Sequence, residues 1–328
     1  MKPFKAMILA AGLATRLRPL THSRPKVLIP IQNRPLLHWL VDFLWSAGAE
    51  EVIVNGYHLS DKLVDLVERS YFPIPVYVRL EKVLLGTGGG IGNVADFWDE
   101  RPFVVINGDI LTSIDLGEVF LKHESSGAMA TLVVKDEPLF NRVQVAEDGR
   151  ILSFAGGPEN HLAFTGIQVL SPEILGVIPA DIPMSIIDCY LQLISRGEKV
   201  MAHVAKEKYW RELGSLEGYL QVHQELFKLR KPPFQGLHVG GRPVVHESAR
   251  IGSHTKLHGM VCVGRKCEVD SDVSLQESVI WDQVIIKAGC SVRNSIIGDG
   301  VVVTESLEGV VIGKRGRVKL TVGKEKPE

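Results

Sequence analysis

Val245, Ile251, Leu257, Val263, Val269, Leu275 and Trp281 recur at intervals of six residues, and Gly252 and Gly264 directly follow two of them. An α-helix, with its 3.6-residue period, does not bring every sixth side chain to one face. A parallel β-helix does, because one inward side chain marks each face of a triangular coil. Seven successive hits confine the last third of the chain to stacked coils. Past Trp281 the phase shifts, and Val284-Ile285, Ser291-Val292 and Ile296-Ile297 continue less regularly. Lys231-Pro232-Pro233, Gly236, Gly240, Gly241 and Pro243 read as a linker. The expected division is a first domain at 1–228, a linker at 229–243, coils at 244–316 and a charged tail at 317–328.

The first ~225 residues alternate short apolar runs with helix-like segments, which predicts an α/β domain on a mostly parallel sheet. Strands are expected at Ala6–Ala10, Glu51–Asn55, Val76–Arg79, Phe103–Asn107, Ala130–Val134 and Gly166–Leu170. Helices are expected at Pro35–Ala47, Ser60–Ser70, Gly89–Asp96, Leu116–Ser125, Ile186–Arg196 and Leu216–Lys228.

Bulk properties exclude several function classes. The formal net charge of −1 gives no field favouring nucleic acid or an anionic membrane. No apolar run reaches the ~20 residues of a membrane span. The apolar run at 6–11 is too short for a signal-peptide core, so a cytoplasmic protein is expected. Cys189, Cys262, Cys267 and Cys290 form no C-x-x-C pair, which predicts small buried hydrophobes rather than a zinc or redox site.

Three constellations carry chemistry. The strand Met7–Ala10 turns at Gly12 into a loop with Thr15, Arg16 and Arg18, followed by Arg24-Pro25-Lys26. Such a loop can lay backbone N–H groups and fixed positive charge along a polyphosphate. Neither a P-loop nor a dinucleotide fingerprint is present, since Gly12 stands alone and Gly86-Thr87-Gly88-Gly89-Gly90-Ile91-Gly92 misses both spacings. That second run reads equally well as a tight turn into a helix. In Val104-Val105-Ile106-Asn107-Gly108-Asp109, a carboxylate follows the carboxyl end of a buried strand, where α/β sheets bind ligands. Asp109 there suits Mg²⁺, or caps the next helix. Glu212, in Tyr209-Trp210-Arg211-Glu212-Leu213-Gly214-Ser215, precedes a glycine turn into a helix; standing alone it would read as a solvated glutamate.

Taken in order, these segments resemble the sugar nucleotidyltransferases (nucleotide-sugar pyrophosphorylases). Residues 9–19 resemble that family's L-A-A-G-x-G-T-R-L-x-P signature, and Leu85–Gly89 its L-G-T-[AG]-G segment. Asn107-Gly108-Asp109 matches its metal-binding N-G-D, Phe164–Ile167 its sugar-contacting glycine segment, and Tyr209–Ser215 its Y-W-x-D-x-G-T. The coils resemble the left-handed β-helix that many members carry. The implied fold is a Rossmann-like mixed, mostly parallel GT-A-like sheet followed by a short left-handed β-helix.

The implied reaction joins a sugar 1-phosphate to a nucleoside triphosphate (NTP) and releases pyrophosphate. The resemblance implies catalytic roles for Arg16, Lys26 and Asp109. It implies nucleotide binding by Leu9, Ala10, Ala11, Gly12, Ala14, Thr15, Glu81, Gly86 and Thr87. Sugar phosphate falls to Asn107, Gly108, Gly166 and Lys208, and Mg²⁺ to Asp109 and Glu212. Substrates are thus an NTP and a sugar 1-phosphate; a homo-oligomer through the β-helix is expected, with no nucleic acid and no membrane partner.

The chain departs from the pattern at four places. Ala14 stands where the family usually has Gly, Val27 replaces a common Pro, and Glu212 replaces an Asp. Phe154-Ala155-Gly156-Gly157-Pro158 lacks the Glu-Lys pair with which many members grip the sugar and its phosphate; Lys206 and Lys208 are candidate replacements. Glu81 lies close to where uridylyl and thymidylyl enzymes read the base with Gln. An acceptor-only carboxylate can take N1–H and N2–H of guanine, or N3–H of uracil while repelling O4. GTP is therefore expected, the resemblance implies mannose 1-phosphate as the sugar, and uridylyl transfer to glucose or N-acetylmuramate 1-phosphate is the alternative. A non-catalytic nucleotide-sugar sensor and a transferase for a phosphoalcohol are further alternatives. His238, His246, His254 and His258 raise an acyltransferase role for the coils, for which about four coils is short.

Overall fold

Buried apolar runs build the sheet of the first unit. The computed structural model describes residues 2–156, 161–179, 182–206 and 208–320. The chain divides into two compact units: Met1–Leu13 with Leu37–Trp210, and Ala14–Leu36 with Arg211–Glu328. The packing boundary therefore runs differently from the sequence boundary at 228. The segment 14–36 and the helix Leu216–Lys228 belong with the coils.

In the first unit, β1 (Phe4–Leu9), β2 (Ala49–Gly56), β3 (Val76–Leu80), β4 (Phe103–Asn107), β5 (Ala130–Lys135), β6 (His161–Leu170) and β7 (Val200–Val204) form the main sheet. The order is β7-β5-β6-β4-β1-β2-β3. β1 is parallel to β2 and β4, while β6 runs antiparallel between β4 and β5. The sheet is mixed. β7, which the apolar pattern did not signal, pairs parallel with β5. Helices α1 (Leu36–Ser46), α2 (Ser60–Arg69), α3 (Gly86–Gly92), α4 (Leu116–Ser126) and α5 (Ile186–Ser195) lie within one to four residues of the expected bounds. Local chemistry sets their ends. Asp115 caps α4 by accepting from Gly117 N at 2.8 Å, and α4 stops at Gly127, which has φ +57°. Cys189 belongs to the apolar core of this unit.

In the second unit, α6 (Leu216–Lys228) is capped by Ser215, whose Oγ accepts from Gly218 N at 3.0 Å. The coils then stack through parallel pairs. Val244 lies beside Cys262 and Lys256 beside Ser274, a spacing of 18 residues, or three faces of six. At Gly259 the register slips, and Val261 lies beside Ser278, a spacing of 17. Gly259 takes φ +65°, and the Glu277 carboxylate closes the bulge by accepting from Met260 N at 3.1 Å. Farther on, Val292 lies beside Leu307, a spacing of 15.

The slip explains the shifting phase and corrects one expectation. Ile280, not Trp281, stands beside Val263 and joins the apolar core inside the coils. Trp281, the seventh member of the six-residue series, instead packs against Tyr219 and Arg24. Val245 and Ile251 remain 37% and 38% exposed because they open the stack. Residues 317–319, expected in the tail, lie in the strand Gly316–Lys319, which turns back antiparallel along Val310–Gly313. The rest of that tail, 321–328, lies outside the described residues. All four cysteines are free and buried.

Candidate active site

The first unit assembles its share of the predicted residues at the carboxyl ends of its central strands. Leu9 of β1 is in register with Asn107 of β4. Gly108 N donates to Leu9 O at 2.9 Å, and a Cβ on Gly108 would stand 2.7 Å from that oxygen. The glycine of the N-G-D turn is therefore required by close backbone approach. Gly166, at φ +79°, holds the Asn107 side chain so closely that a Cβ would fall 2.5 Å from its Nδ2. Asn107, Gly108 and Gly166 thus come together, with half-buried Asp109 next in the turn. A Cβ on Gly12 would meet open space, leaving its backbone accessible.

Asn55 was missing from the sequence reading and ties several predicted residues together. Its Oδ1 accepts from Ala10 N at 2.6 Å, and its Nδ2 donates to Glu81 Oε1 at 2.7 Å. Glu81 Oε2 accepts from Leu85 N at 3.0 Å. Glu81 is 7% exposed and accepts one protein bond on each oxygen. The only sequence signal for Asn55 is a polar residue closing an apolar strand.

The glycine-rich segment opens α3 and packs closely against 184–186. Gly88 N and Gly89 N donate to Met184 O, and Thr87 Oγ1 accepts from Ile186 N at 2.8 Å. A Cβ on Gly86, at φ +72°, would stand 2.7 Å from Met184 O. These glycines admit the backbone of 184–186, and Thr87 seats the start of α5. Lys208 is exposed and lines a groove of about 290 Å³ with Asp115, Glu118, His203 and Lys206. That groove includes none of Asn107, Gly108 and Gly166. In the segment lacking the Glu-Lys pair, Gly157 and Pro158 lie outside the described residues. Arg142, which the sequence reading did not name, packs its side chain over Gly156 there.

The second unit carries the cationic segment. Ala14, where a glycine is usual, sits at φ 49°, ψ 43°, in the left-handed region. Its carbonyl accepts from Leu17 N at 3.1 Å and from Thr21 Oγ1 at 2.8 Å, which holds the turn despite the methyl. Thr15 and Arg16 are exposed, and Arg16 Nη2 donates to Glu212 Oε1 at 3.1 Å. A Cβ on Gly214 would lie 2.3 Å from that oxygen, so Gly214 clears space for the pair. Lys26 opens a short 3₁₀ turn, Lys26–Leu28, whose Val27 and Leu28 are buried. Val27 thus replaces a common proline as a core side chain. His238, His254 and His258 are exposed, and His246 is half-buried, with its Nδ1 2.9 Å from Ser248 Oγ.

Electrostatics separate structural groups from chemical ones. Burial lowers the His223 pKa to about 4, with the Tyr219 carbonyl opposing the shift. Its Nδ1 donates to Tyr219 O at 3.0 Å and its Nε2 accepts from Gln32 N at 3.3 Å, so it is a neutral core imidazole. Burial raises the Asp299 carboxyl, and the adjacent Arg24 guanidinium pulls it back. Among the described residues, no helix is long and apolar enough to cross a membrane.

Comparison with known proteins identifies the family of the chain. The nucleotidyl transferase family matches residues 5–228, and the GMPPB C-terminal domain matches 239–322. Mannose-1-phosphate guanylyltransferase of Mycobacterium tuberculosis is 30% identical, over 88% of this chain and 82% of its own. UTP--glucose-1-phosphate uridylyltransferase of Synechocystis is 28% identical, over 89% and 82%. The crystal structure of HddC from Yersinia pseudotuberculosis matches with a TM-score of 0.57 at 25% identity, over 66% of this chain and 97% of that one. The strand-end glycine turns, the cationic segment and the coils thus occur in a chain that belongs to the nucleotidyl transferase family, as a sugar-1-phosphate nucleotidyltransferase.

Proposed function

We propose that the chain makes GDP-mannose and pyrophosphate from GTP and mannose 1-phosphate. The observation that carries this reading is the joint match to the nucleotidyl transferase family and to the GMPPB C-terminal domain, together spanning most of the chain. The M. tuberculosis guanylyltransferase supports the choice of sugar and base. The Synechocystis uridylyltransferase supports a second reading, uridylyl transfer to glucose 1-phosphate. Rates with GTP and UTP against both sugar phosphates decide between them. A higher kcat/KM for UTP with glucose 1-phosphate would overturn the first reading.

The reaction needs alignment and charge neutralisation more than covalent help. In our reading the sugar phosphate oxygen attacks the α-phosphorus. Arg16 grips the departing phosphates through its guanidinium fork, and Lys26 neutralises the phosphate under attack. Leu9–Gly12, Ala14, Thr15, Gly86 and Thr87 line the nucleotide. Glu81 contributes to base choice through its remaining lone pairs and the Asn55 network. Asn107, Gly108, Gly166 and Lys208 serve the sugar phosphate.

Nucleotidyltransferases of this family are typically metal-dependent. Among the described residues no cluster of three or more His, Cys, Asp or Glu could hold a metal. The carboxylates of Asp109 and Glu212 suit Mg²⁺, which takes one or two carboxylates and completes its shell with phosphate oxygens and water. Asp109 would hold it, with Glu212, which must first release Arg16. When bound, the ion neutralises charge on the phosphates. Self-association through the coils, which leave Ile251 and Val302 exposed, belongs to the same proposal.

Lys26→Ala tests the mechanism. Its kcat/KM for pyrophosphate release should fall roughly 10²–10³-fold, the scale of one placed electrostatic donor. Turnover near wild type would remove Lys26 from the chemistry.

A further inference from the structure

Residues 14–36 bear Arg16 and Lys26, and they are anchored to the coils along their length. Leu20 packs against Gly298, and Pro19 against Gly313, where a Cβ would stand 3.0 Å from Pro19 O. Pro30 O accepts from Tyr219 OH at 2.5 Å, and Tyr219 OH accepts from Trp281 Nε1 at 3.0 Å. Asn33 Nδ2 donates to Val244 O at 3.1 Å and Val263 O at 2.7 Å.

Arg24 is the centre of this anchorage. Its fork is bidentate on Asp299, with Nε at 3.0 Å and Nη2 at 2.7 Å from the two oxygens. Nη2 also donates to Asp282 Oδ2 at 3.2 Å, and Cζ stands 5.0 Å from the Trp281 ring centroid. The two carboxylates are themselves set by coil backbone. Asp299 Oδ1 accepts from Asp282 N at 3.2 Å, and Asp282 Oδ1 accepts from Arg265 N at 2.8 Å. The Arg24 side chain is 16% exposed, and its Nη1 reaches Leu28 O at 3.5 Å, across the turn that contains Lys26. An arginine committed to two carboxylates and an indole face has its donors spent on protein. The basic pair of Arg24-Pro25-Lys26 therefore divides its labour.

We propose that Arg24 is a positioning residue: gripped by Asp299 and Asp282, it fixes the Lys26 turn, which makes the coils a working part of the catalytic apparatus. The inference rests on the role assigned above to Lys26. Its logic is that Arg24 acts through Lys26, so the two losses must not multiply.

The experiment uses the full chain and the variants Arg24→Ala, Asp299→Ala, Lys26→Ala and Arg24→Ala/Lys26→Ala. Each is assayed below its unfolding temperature for pyrophosphate release, and amide exchange is followed in parallel. Arg24→Ala and Asp299→Ala should each lower kcat about 10-fold, with KM for the triphosphate changed less than about 2-fold, as for lost transition-state alignment. The double variant should be no slower than Lys26→Ala alone. Exchange over 16–29 should rise in both clamp variants, while strands 261–280 stay as protected as in wild type. Multiplied losses in the double variant, or unchanged kcat and exchange in Arg24→Ala, would overturn the proposal.

Arg24→Lys, which keeps the charge and loses the fork, guards against general unfolding. It should reproduce the kcat loss with intact coils; wild-type kcat from this variant also overturns the proposal. The exchange readout needs no turnover. If wild-type protein releases no pyrophosphate from any pair tested, the proposed chemistry fails, and the clamp stands or falls on protection of 16–29 alone.

Discussion

The α/β unit sets its strand-end glycines by close steric approach, whereas the coil-bearing unit holds its cationic segment with side-chain hydrogen bonds and ion pairs. Gly108 lies against Leu9 O and Gly166 against the Asn107 side chain, each at a separation that leaves no room for a methyl group. Arg16, Arg24 and Asn33 are instead held by carboxylates and coil carbonyls. Backbone approach is a steric condition that a single atom breaks. A charge pair is a balance of desolvation and attraction, which can be weakened by degrees. The two sets of residues should therefore respond differently to substitution.

Gly166→Ala probes the first kind of contact. The left-handed backbone and the overlap with Asn107 should together cost about 2–4 kcal/mol, read as a fall in thermal midpoint. Activity at low temperature should fall with it. A midpoint within about 1 °C of wild type would mean that Asn107 has room to move, and the contrast between the units would weaken.

The second unit should show the stronger acid sensitivity, because it contains His223. The folded pKa of about 4 lies below the usual value near 6.5, so the unfolded chain takes up the proton first. Stability is complete above about pH 6.5 and is lost as pH falls through about 4. The upper bound is about 3 kcal/mol. Denaturant titrations at pH 7 and 4.5 should show it, and His223→Gln should flatten the difference. An unchanged slope in that variant would assign the acid sensitivity elsewhere.

Ala14→Gly is the smallest effect and has the opposite sign. Ala14 holds a left-handed conformation that suits glycine, and relieving it should stabilise the chain by about 1 kcal/mol. Glycine's greater freedom in the unfolded chain offsets part of that gain. A loss of stability would show that the carbonyl contacts of Ala14 outweigh its backbone strain.

Most of the scaffold was legible because it rests on local pattern. Phe103–Asn107 coincides with its expected bounds, and Leu216–Lys228 does too. Both are apolar runs with the right period and punctuated ends. β7 was missed because Val200–Val204 is short and includes His203, and its place is set by pairing with β5. The glycine-rich segment Gly86–Gly92 forms α3, and its partner Met184 lies about a hundred residues away, where no local pattern points. Trp281 fitted the six-residue series by number, yet the bulge at Gly259 had already moved the inward position to Ile280. A one-residue slip leaves composition unchanged while reversing which side chain faces the core.

What the sequence by itself determined is the set of elements: six-residue coils, α/β alternation, and glycine turns at strand ends, all of which follow from short-range periodicity and backbone sterics. Only the tertiary structure decided the employment of particular side chains. Asn55 joins Ala10 to Glu81, and Arg24 is spent on Asp299, 275 residues away. Hydrogen bonds and ion pairs act over about 3 Å in space. Their partners are chosen by how coils and strands bring distant residues together, and no spacing along the chain encodes that choice.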